Sequence, residues 1–161
     1  MIRFLLGLLL CMALVAPHYP AQAANVGNTL PAYSFERLEG GAVELPPKDG
    51  KIYVINLWAT WCPPCRTEMP DLQAFYDKYK DSSNVGIYLI NHAEQPNKIR
   101  EFLRKGNFSM PVLLDPAGQG AKMLSTRALP TTVVVDASGK VLFRKVGAVT
   151  LSELERAVVR N

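Results

Sequence analysis

The sequence is poor in the residues that most often build metal sites and covalent frameworks. Its 161 residues include three cysteines, two histidines and two tryptophans. A structural disulfide framework uses several cysteines spread along a chain, whereas Cys62 and Cys65 are three positions apart and would cross-link almost nothing. These two cysteines and the distant His92 also cannot complete a structural zinc site. The scarcity therefore favours a cysteine pair whose purpose is to react.

A strong excess of charge of one sign is absent as well. The chain has 18 lysines and arginines against 14 acidic residues, a net charge of +4, and its basic residues are scattered. Nucleic-acid binding normally requires a basic patch, so no nucleic-acid partner is predicted. With 48% hydrophobic and 20% charged residues, the composition is that of an ordinary globular domain.

The amino-terminal segment has an apolar run that is too short to span a bilayer. The run covers the thirteen residues 4–16, follows Arg3 and ends at Pro17, whereas a spanning helix needs about 20 residues. Residues 21–23, Ala-Gln-Ala, have the small-x-small pattern of a signal-peptide cleavage site. We predict a secretory signal peptide at 1–23 and an exported domain at 24–161. An uncleaved membrane anchor is the alternative.

Cleavage of this segment would change the inventory of reactive residues. Cys11 and His18 would be lost, which would leave Cys62 and Cys65 as the only cysteines. The loss of Arg3 would lower the net charge to 17 − 14 = +3. The exported domain would then hold two thiols in one short segment.

Hydrophobic periodicity predicts strands that alternate with helices. A glycine turn joins a first hairpin, and a final helix has Thr150 and Glu153 as a capping box. Continuous apolar runs predict buried strands, and the i, i+3, i+4 spacing predicts helices. The predicted strands are 33–35, 43–45, 52–57, 85–90, 112–114, 131–135 and 141–143. The predicted helices are 69–79, the segment carrying Ile99, Phe102 and Leu103, 120–125 and a last helix with Leu151, Leu154, Ala157 and Val158 as its buried stripe. This order implies a mixed sheet with parallel crossovers at its centre.

The cysteine pair lies where the strand at 52–57 gives way to a helix. Residues three apart on a helix face the same way, so the two sulfurs can close a disulfide or open to two thiols. We expect Cys62 to be the exposed nucleophile and Cys65 the more buried resolving cysteine. A helix start favours a thiolate, but Pro63 and Pro64 remove two amides that would stabilise it. The pKa of Cys62 should therefore fall only moderately, toward about 7, which favours a reductant over an oxidant.

Three short motifs together carry a more specific pattern. They are Trp-Ala-Thr-Trp-Cys-Pro-Pro-Cys-Arg at 58–66, Glu-Met-Pro at 68–70 and Leu-Pro-Thr-Thr at 129–132. With the βαβ first half and the ββα end, they resemble the thioredoxin fold and, within it, the TlpA/ResA group of exported thiol-disulfide oxidoreductases. The resemblance covers roughly residues 31–161. It implies an α/β fold with a central mixed sheet flanked by helices, an N-terminal β-hairpin, and an inserted helix and strand between residues 96 and 114.

The resemblance also implies a substrate-binding surface. Pro130 matches a cis-proline that lies beside the cysteine pair and leaves the backbone of Leu129 free to pair with a substrate strand. An ordinary trans turn is the alternative. Thr131 follows in the same motif, and Trp61 precedes Cys62 and is a further candidate for the contact surface, although packing is an equally reasonable role for the tryptophan.

Glu68 is the implied proton acceptor. It matches an acid near the active site of ResA-like proteins, one helical turn beyond Cys65, and partial burial would raise its pKa toward a useful range. The alternative is an exposed helix residue with no such role. Asn56 replaces the buried aspartate that thioredoxin has on the preceding strand, which leaves Glu68 or a water as the acceptor. Arg66 is expected to be a solvated charge and His92 to have no catalytic role.

The resemblance finally implies the direction of electron transfer and the partners of the protein. We expect a reductant of protein disulfides in the periplasm, acting on apocytochrome c or on copper-delivery proteins for cytochrome oxidase. A membrane electron donor of the DsbD or CcdA kind would regenerate it, and no cofactor, metal or nucleic acid is expected; the protein is expected to be a monomer. The alternatives are an oxidase that inserts disulfides and a Cu(I)-binding module, because two neighbouring thiolates can hold Cu(I).

Overall fold

The computed structural model describes residues 24–159, in which seven strands and four helices follow one another along the chain. The strands are β1 (Tyr33–Arg37), β2 (Ala42–Leu45), β3 (Ile52–Trp58), β4 (Val85–His92), β5 (Val112–Asp115), β6 (Thr131–Val135) and β7 (Val141–Val146). The helices are α1 (Pro63–Tyr79), α2 (Pro96–Gly106), α3 (Gln119–Met123) and α4 (Leu151–Val159). The predicted signal peptide lies outside the described residues.

All seven strands form one sheet in the order β2-β1-β5-β4-β3-β6-β7. The central pairs β3–β4 and β4–β5 are parallel, whereas β1, β6 and β7 pair antiparallel with their neighbours. This arrangement confirms the predicted mixed sheet. Because β3 and β4 are parallel, their carboxyl ends meet at one edge, and that edge carries the cysteine pair.

The sheet is covered on both faces, which explains the continuous apolar runs in its central strands. Successive residues of a strand point to opposite faces, and Val54 and Ile55 accordingly belong to two different core clusters. The cluster around Val54 contains the buried faces of α1, α2 and α4. The cluster around Ile55 contains Met123 of α3. Neither face of β3 needs polar residues, since neither meets water.

Six of the seven predicted strands are longer in the structure, and β4 and β7 gain polar residues at their ends. Strand β4 continues through Asn91 to His92, and β7 continues through Arg144 and Lys145 to Val146. Polar residues interrupt the apolar pattern at both places, but they have partners on neighbouring elements: the Asn91 amide donates to Glu94 and Lys145 pairs with Glu153. The hydrophobic pattern therefore ended before the hydrogen-bonded strand did.

The ends of the helices agree with the predicted start and stop signals. Thr150 and Glu153 form the predicted capping box, in which the Glu153 carboxylate accepts from the Thr150 backbone at 2.9 Å. Helix α1 runs through Pro70 without ending there. No helix within residues 24–159 is long and apolar enough to cross a membrane.

Candidate active site

The turn between β3 and α1 places both cysteines at the start of a helix. Cys62 is the N-cap residue of α1, with an extended backbone at φ −86° and ψ 111°, and Cys65 lies in the first turn. Their Cα atoms are 5.3 Å apart and their sulfurs form a disulfide. The structure is thus that of the oxidised form, in the place that the sequence predicted for the pair.

One backbone amide is directed at the sulfur of Cys62. Cys65 donates its N–H to Cys62 Sγ at 3.3 Å. Pro63 and Pro64 occupy the first two helical positions and have no N–H, so the amide of Cys65 is the first that the helix can offer. This geometry agrees with the expectation of moderate thiolate stabilisation, and the pKa of Cys62 itself stays a prediction.

The disulfide is buried. Cys62 is 3% exposed and Cys65 is fully buried, and both belong to the core cluster that contains Trp58 and Met69. The expectation that Cys62 is exposed is therefore wrong for the oxidised form, because the closed ring holds its sulfur against the first turn of α1. The predicted order of exposure, with Cys65 the more buried, is confirmed. Trp61, one residue earlier, is 59% exposed.

Glu68 lies inside the protein, one helical turn after Cys65. Its side chain is buried, and its two carboxylate oxygens accept from Asn56 Nδ2 and from the Val149 backbone, each at 2.8 Å. The alternative of an exposed helix residue is wrong. Desolvation raises the pKa of Glu68 to about 7, although the hydrogen bonds from Val149 and Asn56 work in the opposite direction. The carboxyl group is therefore able to exchange a proton near neutral pH.

Asn56 connects this carboxylate to the neighbouring strand. Its Nδ2 also donates to Thr132 Oγ1 on β6 at 2.9 Å, whereas its Oδ1 has no hydrogen-bond partner among the described residues. The asparagine is fully buried. It thus fixes the position of Glu68, a role that the sequence comparison with thioredoxin did not suggest.

The loop before β6 lies at the same edge of the sheet. The Leu129–Pro130 peptide is cis, as the resemblance implied, and Pro130 accepts a hydrogen bond from the Gly147 amide at 2.9 Å. Thr131 is fully buried and donates its hydroxyl to the Ala128 carbonyl at 2.8 Å. The structure thus gives the Thr131 side chain a role inside the loop, and its contact with a substrate stays a prediction.

A cavity of about 130 Å³ lies between this loop and the cysteine motif. Two of the residues predicted to bind substrate, Trp61 and Leu129, line it together, and so does His92. His92 lies at the end of β4, on the sheet edge that carries the cysteine pair, with its Nδ1 3.8 Å from Asp115 Oδ2. Among residues 24–159, no three His, Cys, Asp or Glu side chains cluster closely enough to hold a metal ion.

Glu94 holds the cysteine motif in place, and sequence reasoning missed it. Its carboxylate accepts from the backbone N and the hydroxyl of Thr60, both at 2.6 Å, and it also contacts Asn91 Nδ2 at 3.0 Å and Lys98 Nζ at 2.8 Å. Burial works to raise the pKa of Glu94, but the hydrogen bonds from Lys98, Thr60 and Asn91 outweigh it and hold the pKa below its ordinary value. The only signal in the sequence is that Glu94 follows the end of β4.

Replacing Glu94 should loosen the motif. Glu94→Ala leaves the Thr60 amide and hydroxyl without their acceptor, so we expect a loss of about 1 to 3 kcal/mol in the free energy of unfolding. Urea denaturation of the oxidised protein measures it. Glu101→Ala is the matched control, because Glu101 forms an exposed ion pair with Lys105 on α2. Its replacement should lower the free energy of unfolding by less than about 1 kcal/mol. Equal losses in the two variants would contradict this role for Glu94.

Comparison with known sequences identifies the chain's relatives. The redoxin family profile matches residues 25–158. Thiol-disulfide oxidoreductase ResA of Bacillus thuringiensis subsp. konkukian is 31% identical over 158 residues, which cover 95% of this chain and 91% of the relative. Sporulation thiol-disulfide oxidoreductase A of Bacillus subtilis is 28% identical over 138 residues, covering 84% of this chain and 83% of the relative.

Solved structures agree with the sequence relatives. StoA from Bacillus subtilis superposes with a TM-score of 0.71 at 27% identity, covering 79% of this chain and 96% of StoA. A thiol:disulfide interchange protein of the thioredoxin family from Chlorobium tepidum TLS gives a TM-score of 0.72 at 25% identity, covering 84% and 97%. The fold is thioredoxin-like, and a cysteine pair lies at its active-site position. The chain therefore belongs to the redoxin family, and within it to the TlpA/ResA-like thiol-disulfide oxidoreductases.

Proposed function

We propose that this oxidoreductase works as a reductant of protein disulfides in an oxidising compartment outside the cytoplasmic membrane. We infer the direction of electron transfer from one observation. A single backbone amide is directed at Cys62 Sγ, because Pro63 and Pro64 have no N–H to donate. A strongly oxidising member of the superfamily is one whose reduced form is heavily stabilised. With one amide in place of three, the reduced form here has less stabilisation and gives up its electrons more readily.

The reaction transfers two electrons and two protons. The Cys62 thiolate attacks one sulfur of the target disulfide, the target S–S bond breaks, and a mixed disulfide forms between Cys62 and the target. The Cys65 thiolate then attacks the Cys62 sulfur and releases the second target thiolate. The target gains two thiols once both thiolates are protonated, and the protein keeps the Cys62–Cys65 disulfide that the structure shows.

Glu68 is the proposed proton acceptor for the second attack. Cys65 must lose its proton before it attacks, and it is fully buried, so bulk water has little access to it. Glu68 is three residues further along the same helix and its pKa is raised to about 7. A carboxylate with this pKa accepts the proton from the Cys65 thiol at neutral pH and then releases it to water or to the departing target thiolate.

The proposed targets are exported proteins with a pair of cysteines, either the haem-binding cysteines of apocytochrome c or the cysteines of copper-delivery proteins. Regeneration requires a membrane donor of two electrons, of the DsbD or CcdA kind. Residues 1–23 as a secretory signal peptide would bring the domain at 24–161 to the periplasm, where such targets are oxidised. The relatives named as thiol-disulfide oxidoreductases support the reaction type, and the targets are part of the proposal.

The reduction potential tests the direction. Equilibration of the protein with defined thiol and disulfide buffers should give a value near that of thioredoxin, about −270 mV, because the Cys62 thiolate is only moderately stabilised. A value near that of DsbA, about −120 mV, would instead establish an oxidase that inserts disulfides. Equilibrium dialysis of the reduced protein against Cu(I) tests the remaining alternative, a Cu(I)-binding module.

A further inference from the structure

We propose that this enzyme prefers disulfide substrates with acidic residues beside the target cysteine, and that Arg127 recognises their charge. The inference rests on the proposed reductant function and names the class of segment that the active site accepts. It follows from the shape of the groove next to Cys62 and from the charges at its rim.

The groove begins at the cavity between Trp61 and Leu129. Apolar side chains line much of this cavity, among them the buried Leu57, and the exposed Arg127 lines it as well. A shallower depression on the surface continues from it, shares Ala121 and Arg127 with the cavity, and adds Lys122. An extended segment leaving the cysteine pair past Leu129 would therefore meet an apolar recess first and cationic side chains next.

Arg127 is available to a substrate and is held on a fixed loop. Its side chain is exposed and forms no hydrogen bond or ion pair with any described residue, and the same holds for the Lys122 ammonium group. The loop that carries Arg127 is tied down by the Thr126 hydroxyl, which accepts from the Ala128 amide at 3.1 Å and contacts Thr131 Oγ1 at 2.9 Å. A cation on a rigid loop with no internal partner is suited to pairing with an acid from outside.

Acidic groups on the opposite side of the motif do not offset this charge. The depression there contains Arg66 and Lys98, and its one acid, Glu101, is paired with Lys105 at 2.6 Å. Lys98 in turn pairs with the nearby Glu94 at 2.8 Å, whereas Arg66 is exposed and its guanidinium group has no partner among the described residues. The unpaired charge on both sides of the disulfide is thus positive.

The two buried acids near the site, Glu68 and Asp115, also add no negative charge to the groove surface. Glu68 is bonded to Asn56 and Val149, and Asp115 is buried and accepts from the Gln119 and Gly120 amides at the start of α3. Neither carboxylate reaches the groove surface, so a substrate meets a cationic rim above an apolar recess. Attraction of this kind raises the rate of encounter and weakens as salt is added.

The experiment uses three synthetic peptides that differ only at the two residues flanking a single cysteine, which are both Glu, both Gln or both Lys. Each peptide is joined by a mixed disulfide to neutral 2-mercaptoethanol. The full chain with Cys11→Ser is reduced in non-ionic detergent, and single-turnover rate constants are measured by acid quench and chromatography. Each reaction yields the peptide thiol, 2-mercaptoethanol and the oxidised protein.

We expect the Glu peptide to react about three- to tenfold faster than the Lys peptide at low salt, since exposed ion pairs contribute modestly. The ratio should approach one at high salt, where charges on the surface are screened. Arg127→Glu should abolish or reverse the ratio. Arg156→Glu, the same charge reversal on the exposed side of α4, should preserve it.

Three results would overturn the inference, and the third would overturn the proposed function as well. Equal rates for the three peptides at low salt would leave the reductant function intact and remove the charge preference. An unchanged ratio in Arg127→Glu would remove the role of this arginine. If none of the peptides is reduced although both thiols are present, the proposed reductant function itself fails, and the preference fails with it.

Discussion

Cys65→Ser should convert the protein from a catalyst into a trap that accumulates a mixed disulfide with its targets. The nucleophile Cys62 is retained at the helix start, but the group that releases the target is missing. Turnover should fall on the order of a thousandfold or more, as expected when one member of a catalytic unit is removed. Mass spectrometry of the trapped adducts after expression in a disulfide-forming compartment would name the targets.

Cys62→Ser is the matched control for the trap. It should also abolish turnover, but it should accumulate no adducts, because Cys65 is fully buried behind the first turn of α1. Adducts formed by Cys62→Ser and not by Cys65→Ser would reverse the assignment of nucleophile and resolving cysteine.

Stability of the oxidised protein should fall as the pH rises, and Glu68 should be the cause. Burial raises the pKa of Glu68 from 4.5 to about 7, so the folded state holds a proton that the unfolded state releases above about pH 4.5. The contribution of the protonated Glu68 carboxyl to the free energy of unfolding is fully present below pH 4.5 and is lost as the pH rises through 7. A difference of about 2.5 in pKa at about 1.4 kcal/mol each gives about 3.5 kcal/mol in all, of which about 3 kcal/mol is lost between pH 4.5 and 8.

Glu68→Gln should remove this pH dependence, because glutamine is nearly the same size and does not titrate. Urea denaturation between pH 4.5 and 8 should show wild type losing about 3 kcal/mol relative to the variant, with a constant difference above pH 8. Glu36→Gln, at an exposed position on β1, is the control and should follow wild type. Parallel curves for wild type and Glu68→Gln would show that the Glu68 carboxyl titrates normally.

The sequence predicted the elements that depend on local patterns. Three features were predictable in this way: the apolar run of β3, the capping box of α4 and the start of α1 at its two prolines. The residue preferences behind them act within one strand or one helical turn. The resemblance to a known family added the cis peptide at Pro130, which no local pattern of hydrophobicity would indicate.

The contacts that support the site were not predictable, because they join residues far apart in the chain. Glu94 bonds to Thr60 across 34 positions, and Asn56 bonds to Thr132 across 76. Polar residues of this kind read as loop residues or as interruptions of a strand until the fold brings them together. The burial of Cys62 was missed for a similar reason, since it depends on the closed disulfide and the core around it.

The proposed function requires that Cys62 and Cys65 form a two-electron carrier. The most direct test is to reduce the Cys11→Ser chain with dithiothreitol, remove the reagent, add an oxidised protein substrate and count the remaining thiols by alkylation and mass spectrometry. We expect each chain to lose two thiols, the substrate to gain two, and Cys62 and Cys65 to end in one disulfide with no lasting adduct. Survival of both thiols beside an unreduced substrate would contradict this expectation.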